Sequence, residues 1–202
     1  MAQIIMEDIH QHRRPTVDID PLFLNRWSPR SFQDKPVPED HLFSLFEAAR
    51  WAPSCMNFQP WRFLIARTET ERQKWFPFIN DGNRIWCEKA PVLTLILSQR
   101  WNPDGKPNRF HAFDTGAAWG AMALRAVQLG LATHGMAGYN PDAARELLNI
   151  PDEYDILALV AIGYQGEKEV LPEAFQEREK PSDRKPLKDI IFEGQFGQTI
   201  DI

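Results

Sequence analysis

Cysteine is scarce in this chain: Cys55 and Cys87 are the only two among 202 residues. Two cysteines cannot form a disulfide framework, and their separation matches no common zinc-site spacing. Long apolar runs are also missing, because the longest, Ala90–Leu97 and Ile156–Gly163, are far too short to cross a bilayer. The sequence therefore predicts neither a disulfide-stabilised secreted protein nor a membrane protein.

Positive charge is in the minority. The chain has 23 Lys and Arg against 28 Asp and Glu, a formal net charge of −5, and no basic stripe. A nucleic-acid partner therefore has little electrostatic support. Near the start, Glu7 and Asp8 occupy positions where a signal peptide needs an apolar stretch, so we expect a reduced, cytoplasmic protein.

Several familiar catalytic motifs are absent as well. The sequence contains no GxGxxG, P-loop, HExxH or GxSxG motif, so the usual fingerprints of dinucleotide, phosphate, zinc and serine-hydrolase sites are missing. The five histidines are scattered and lack partners at metal-ligand spacing. We expect each histidine to be structural and predict no metal site.

What is present is an alternation of helix and strand signals without regular βαβ units, which predicts an α+β fold. Asp20 before Pro21, and Thr68 three residues before Glu71, are typical helix starts. Helices are predicted over 20–26, 37–53, 68–76, 83–89, 110–129 and 140–149, and strands over 61–67, 90–97 and 156–164. Because small and apolar residues surround most of helix 110–129, we expect it to be buried on nearly all sides.

A first candidate site follows the first helix, where the chain becomes extended. Arg26, Ser28 and Arg30 stand at alternate positions, so an extended backbone places their side chains on one side. Two guanidiniums and a hydroxyl on one side form an anion site, because arginine binds phosphate in a bidentate manner. Taken alone, the segment fits a solvated basic turn better than an anion site.

A second candidate is the loop Pro53–Pro60 between a helix and a strand. Small residues, including Ser54 and Cys55, let a flat ring approach the backbone. Asn57 and Gln59 supply both donors and acceptors, which suit the edge of a heterocycle. A turn rich in bonds from side chains to the backbone is the alternative interpretation.

Together, the pattern R-x-S-x-R-x-F and the later A-P-S-x-x-N-x-Q-P-W resemble the nitroreductase family of FMN enzymes. The resemblance continues, in the family's order, through the segments 130–139, 147–151, 159–164 and 184–187. It covers residues 20–195 and implies a mixed, mainly antiparallel central sheet flanked by helices. It also implies a homodimer with two FMN sites at the subunit interface.

The resemblance implies a domain organisation and a set of site residues. A loosely structured lead-in, 1–19, precedes the FMN-binding domain, 20–187, and a C-terminal arm, 188–202, extends over the partner. Arg26, Ser28 and Arg184 would hold the phosphate, and Arg30 would approach the N1–C2=O side of the flavin. The remaining predicted contacts are Trp27 beside the phosphate residues, Pro53, Ser54, Cys55 and Asn57 from the partner, Asn83 at the pyrimidine edge, and Met136, Ala137 and Gly138 against the ring.

Three positions depart from the family pattern. Trp27 stands where many relatives have Arg or His, and Ser182 stands where some have Lys. Both changes remove positive charge from the phosphate site. Ala137 is a glutamate in one branch of the family, so the resemblance carries over its backbone N–H, near flavin N5, and not a side chain.

The resemblance implies an enzyme that takes hydride from NADH or NADPH and passes electrons to an electron-poor small molecule, such as a nitroaromatic or quinone. Both substrates would use one flavin face in turn, in a ping-pong mechanism. Arg30 would stabilise charge growing at N1, unless it only pairs with Asp34. A reductive dehalogenase, a flavin-consuming enzyme and a non-catalytic flavin-binding protein are the alternatives.

Overall fold

The computed structural model describes residues 9–200. The first eight residues of the predicted lead-in, with Glu7 and Asp8, and the last two residues of the predicted arm lie outside this range. The helices are α1 (Ile9–His12), α2 (Pro21–Asn25), α3 (Glu39–Arg50), α4 (Glu69–Trp75), α5 (Asp81–Cys87), α6 (His111–Gln128), α7 (Pro141–Leu148) and α8 (Glu173–Gln176). The strands are β1 (Trp61–Ala66), β2 (Val92–Gln99), β3 (Ala132–Met136) and β4 (Tyr154–Gly163).

The predicted helix starts are confirmed by side-chain caps. The Asp20 carboxylate accepts the backbone N–H of Leu22 at 2.8 Å, with Pro21 in the first helical position. At α4 the Thr68 hydroxyl accepts the N–H of Glu71, whose carboxylate accepts the N–H of Thr68 in return. These caps satisfy N–H groups that have no partner inside the helix, which is why the sequence marks them.

The strands form one antiparallel sheet in the order β1-β2-β4-β3, which confirms the predicted α+β fold with its antiparallel sheet. In the central strands, Leu95 of β2 lies between Leu64 of β1 and Leu159 of β4. Strand β3 was not among the predicted strands. Its sequence, ATHGM, has one β-branched residue, Thr133, and no apolar run, so its pairing with β4 forms it.

Each face of the sheet carries its own hydrophobic core. Successive side chains of a strand point to opposite faces. Accordingly, Val92 and Ile96 pack with α3 and α6, whereas Leu93 and Leu95 pack with aromatic residues of α4 and α5. The core on this second face includes Trp86, which is among the largest fully buried side chains. Helices therefore cover both faces, as predicted.

Helix α6 is buried on one side only within this chain, so the expectation of burial on nearly all sides is wrong for a single subunit. Its buried residues are Asp114, Thr115, Ala118, Met122, Ala123 and Ala126. Phe113 is 79% exposed, and no atom lies within 4 Å of a Cβ built on Gly116 or Gly120. An open strip of small and apolar residues therefore remains along the helix.

The two ends of the chain differ from each other. The lead-in is not loose throughout, because α1 begins at residue 9 and both Ile9 and Arg13 are buried. At the other end, residues 192–199 form a small hairpin whose ends pair at Phe192 and Thr199. The side chain of Phe196 in this hairpin is almost fully exposed.

Among the helices of residues 9–200, none is long and apolar enough to cross a membrane.

Candidate functional site

Burial alternates along residues 26–31, as the extended backbone requires. Arg26, Ser28 and Arg30 are partly exposed, and the residues between them are buried. The helix ends at this point because Arg26 adopts extended torsions, φ −75 and ψ 106. The three predicted side chains therefore share one side, with the side chain of Trp27 on the other.

Trp27 faces away from that group. Its side chain is buried and lines a broad cleft of about 1040 Å³ together with Tyr164 and Gln165. Of the residues predicted to bind the cofactor, only Trp27 lines this cleft. The structure therefore places the Trp27 side chain apart from those of Arg26, Ser28 and Arg30.

Arg26, Ser28 and Arg184 are brought together from distant parts of the chain. The Arg26 guanidinium donates to the Ser28 hydroxyl at 3.3 Å. Burial lowers the pKa of Arg26, and the nearby positive charge of Arg184 lowers it further. Within residues 9–200 neither arginine forms a salt bridge. Among the described residues, the two cations therefore converge without a salt bridge to a carboxylate.

A third arginine, Arg13, was missed by the sequence reasoning. It is 5% exposed and donates to the carbonyl oxygens of Arg26 at 2.8 Å and Ser182 at 2.9 Å, and also to that of Leu24. Burial, followed by the charges of Arg184 and Arg26, lowers the pKa of Arg13 to about 10. No sequence pattern marks Arg13, since it stands in a segment that was expected to be loose.

A buried carboxylate fixes the backbone at Arg30. Glu179 is 8% exposed and accepts the N–H of Arg30 at 2.8 and 3.0 Å and that of Ser31 at 2.8 Å. The Ser31 hydroxyl donates to the carbonyl of Glu167 at 2.6 Å. No salt bridge joins Arg30 to Asp34 in the described part of the chain. The contacts with Glu179 therefore fix the backbone of Arg30 and leave its guanidinium outside any ion pair.

Strand β3 connects this segment to the rest of the site through His134. Its Nδ1–H donates to the carbonyl of Pro29 at 2.9 Å, and its ring centroid lies 4.5 Å from that of Trp86. Burial lowers the pKa of His134 to about 4, and the charges of Arg30 and Arg26 contribute in the same direction. The imidazole is therefore neutral near pH 7 and positions the arginine segment without adding charge.

Asn83 and the segment Met136–Gly138 meet at the end of β3. The Asn83 side-chain amide donates to the carbonyl of Gly138 at 3.1 Å, and the N–H of Asn80 donates to the same oxygen at 3.0 Å. A Cβ built on Gly138 would lie 2.4 Å from Asn83 Nδ2. A side chain at position 138 would therefore require Asn83 to move, while Ala137 remains exposed beside it.

The loop with Pro53, Ser54, Cys55 and Asn57 is strained and held by a buried carboxylate. Met56, Asn57 and Gln59 adopt positive φ values of 50, 58 and 50. Left-handed backbone at residues other than glycine costs about 1–3 kcal/mol each and often marks a functional loop. Asp114, which is 3% exposed, accepts the N–H of Cys55 at 3.0 Å.

The predicted site residues thus fall into two sets within one subunit. In the first set, Arg13 links the arginine segment to Ser182, near Arg184, and His134 links it to strand β3. Strand β3 leads to Met136–Gly138, where Asn83 binds Gly138. Among the hydrogen bonds of residues 9–200, none joins the loop at 53–57 to that set. The resemblance expects this loop to serve the partner's site.

The fold and the site define a class of protein: an α+β domain with a four-stranded antiparallel sheet and a group of converging arginines linked to β3. Comparison with known proteins identifies the family. The model of the Nitroreductase family matches residues 24–85 and 79–164, and the chain belongs to that family.

Similar proteins agree with this assignment. A crystal structure of an oxidoreductase containing FMN shares 42% identity, with a TM-score of 0.87, and the match covers 93% of this chain and 97% of that one. An NADH dehydrogenase of Thermus thermophilus is 28% identical over 88% of this chain and 97% of its own. A nitroreductase family protein of Clostridium difficile shares 27% identity over 87% of this chain and 97% of its own, with a TM-score of 0.68. Membership in an oxidoreductase family follows.

Proposed function

We propose that this protein is an FMN-dependent oxidoreductase that uses NADH or NADPH to reduce electron-poor small molecules such as nitroaromatics or quinones. The observation that carries the proposal is the convergence of Arg26, Ser28 and Arg184 without a carboxylate ion pair in residues 9–200. Family membership and the similarity to an oxidoreductase containing FMN support the same cofactor.

The residues of this chain fit FMN in two respects. Unpaired guanidiniums beside a hydroxyl suit a terminal phosphate, because charge-assisted hydrogen bonds to arginine are short and strong. At the other end of the site, Ala137 is exposed and Gly138 has no side chain, which leaves the backbone of this segment accessible to a flat ring. In this proposal, separate groups of residues therefore bind the phosphate and contact the ring.

Each residue has a defined task in this proposal. Arg26, Ser28 and Arg184 bind the phosphate. With FMN bound, Arg30, whose N–H is held by Glu179, would stabilise negative charge at the N1–C2=O side, and the backbone N–H of Ala137 would serve the N5 side. Bound FMN supplies the hydride-transfer chemistry at N5. The side chains of this chain need supply no nucleophile.

A homodimer completes the proposed site. The open strip on α6, with Phe113 and Gly116, allows close approach of a second copy. The strained loop at 53–57 rests on Asp114 of the same helix, so a dimer formed along α6 would carry that loop toward the partner's pocket. The exposed apolar residues of the tail, Ile190, Ile191 and Phe196, would contact the partner as an arm.

The cofactor and its anchor are tested together by measuring flavin binding. We expect the purified protein to release FMN, not FAD, on denaturation. Losing one charge-assisted contact costs about 1.5–3 kcal/mol, so Arg26→Ala and Arg184→Ala should each weaken FMN binding roughly tenfold to a hundredfold. Arg67→Ala is the matched control, because Arg67 forms only a surface pair with Glu39. Wild-type FMN affinity in both site variants would contradict the proposal.

A further inference from the structure

We propose that Arg13 is a positioning residue of the phosphate site: its guanidinium holds the backbone segments that carry Arg26 and Arg184 at the spacing of one phosphate group. The inference rests on the proposed function, since it takes the phosphate of FMN as the ligand. Arg13 lies outside the matched family region, residues 24–164, so the anchor extends into the N-terminal segment.

The geometry shows one guanidinium bridging two separate segments. On one side Arg13 binds the carbonyls of Leu24 and Arg26, at the end of α2, where helix carbonyls lack partners within the helix. On the other side its Nε donates to the carbonyl of Ser182, two residues before Arg184. The contacts use two different nitrogens, Nε toward one segment and Nη1 toward the other, held in one plane. The single ammonium nitrogen of a lysine does not reproduce that spacing of donors.

The local charge matches a phosphate monoester. Beside burial, the charges of Arg184 and Arg26 lower the pKa of Arg13, and the charge of Arg184 lowers the pKa of Arg26, while the carboxylate of Asp183 acts in the opposite direction at Arg13. Three positive charges and one negative charge leave an excess of two. A phosphate monoester carries about −1.5 to −2 at pH 7, so it neutralises this excess. An anion bound between Arg26 and Arg184 thus offsets the repulsion of Arg13 by these two arginines.

A purely structural role for Arg13 is the competing explanation, because the same hydrogen bonds join the start of the chain to its C-terminal part. The two roles differ in their dependence on the phosphate. A positioning role affects a ligand that carries the phosphate much more than one that lacks it. A structural role affects both ligands alike.

Riboflavin, which is FMN without the phosphate, therefore separates the two roles. Dissociation constants for FMN and riboflavin are measured by flavin fluorescence on the full-length protein stripped of flavin. We expect Arg13→Gln to weaken FMN binding roughly tenfold to a hundredfold and riboflavin binding less than about threefold. Arg14→Gln is the control, because Arg14 is an exposed neighbour of the same charge, and it should leave both constants unchanged.

Every outcome decides the question. If Arg13→Gln does not fold, Arg13→Lys is measured in the same way, since it keeps the charge and loses the fork. Equal losses for FMN and riboflavin, or an unchanged preference for FMN, overturn the role of Arg13. If the wild-type protein itself shows no preference for FMN over riboflavin, the proposed function fails as well, and the two failures are distinguishable.

Discussion

The contact between Glu179 and the backbone at Arg30 makes a sharp prediction about stability. Replacing Glu179 with Gln keeps the size of the side chain and removes its charge. In the native structure both carboxylate oxygens accept the N–H of Arg30, and one also accepts that of Ser31. Glutamine has one acceptor oxygen, and its amide nitrogen would then face a donor.

The expected magnitude follows from these contacts. A hydrogen bond to a charged group contributes about 1.5–3 kcal/mol, and a buried N–H left without a partner costs about 1–3 kcal/mol. Since the remaining oxygen of Gln can still serve one donor, we expect Glu179→Gln to lower the free energy of unfolding by about 2–4 kcal/mol. In a chain of this length that corresponds to a fall in Tm of roughly 5–12 °C.

Urea unfolding of the flavin-free protein, followed by circular dichroism, measures this change. Glu177→Gln is the matched control, because Glu177 is exposed two residues earlier and makes the same chemical change. We expect the control to stay within about 0.5 kcal/mol of wild type. If Glu179→Gln is as stable as Glu177→Gln, the carboxylate does not hold the Arg30 segment and our account of that segment is refuted.

Three further predictions concern the same site. The pKa of His134 is lowered from 6.5 to about 4 in the folded protein, so the unfolded chain takes up a proton at higher pH than the folded one, and the free energy of unfolding should fall by about 3 kcal/mol between pH 6.5 and 4. Thermal scans of His134→Asn should show a smaller loss over this range. An unchanged pH dependence would contradict the burial of a neutral imidazole. Gly138→Ala should displace Asn83 and weaken FMN binding at least roughly tenfold in flavin titrations. Gly130→Ala is its control: no atom lies within 4 Å of a Cβ built on Gly130, so this variant should lower stability and leave FMN binding unchanged. Deleting residues 188–202 should lower dimer stability and FMN retention together, and light scattering that shows a flavin-loaded monomer at micromolar concentration would argue against the shared site.

Local signals in the sequence predicted most of the fold. The caps at Asp20 and Thr68 fixed helix starts because they depend on residues three or fewer apart. Strands β1, β2 and β4 were predicted from their apolar runs. Strand β3 was not, since Gly135 and His134 give it no strand propensity and only the ladder with β4 forms it.

The candidate site was predictable where spacing along the chain encodes it. Alternation placed Arg26, Ser28 and Arg30 on one side, and the structure has that arrangement. Arg13 and Glu179 could not be found in this way. Their contacts join residues 169 and 149 positions apart, and no local pattern reports on such distances.

The open face of α6 illustrates a second limit of sequence reasoning. Its apolar circumference predicted burial on nearly all sides, yet Phe113 and Gly116 are exposed in the single chain. The spacing of apolar residues indicates which faces of a helix are buried, but it does not indicate whether the same chain or another chain buries them. We attribute the cover to a second copy, which the proposed dimer supplies.

Anaerobic reduction tests the central claim most directly. The FMN-loaded protein is mixed with NADH or NADPH in the absence of any acceptor, the visible flavin absorbance is followed, and a nitroaromatic or quinone is then added. We predict that at least one nicotinamide bleaches the flavin, that the acceptor restores its absorbance, and that initial-rate plots for the two substrates give parallel lines. A protein that holds FMN and stays oxidised with both nicotinamides would be a flavin-binding protein without turnover, contrary to the function proposed for it.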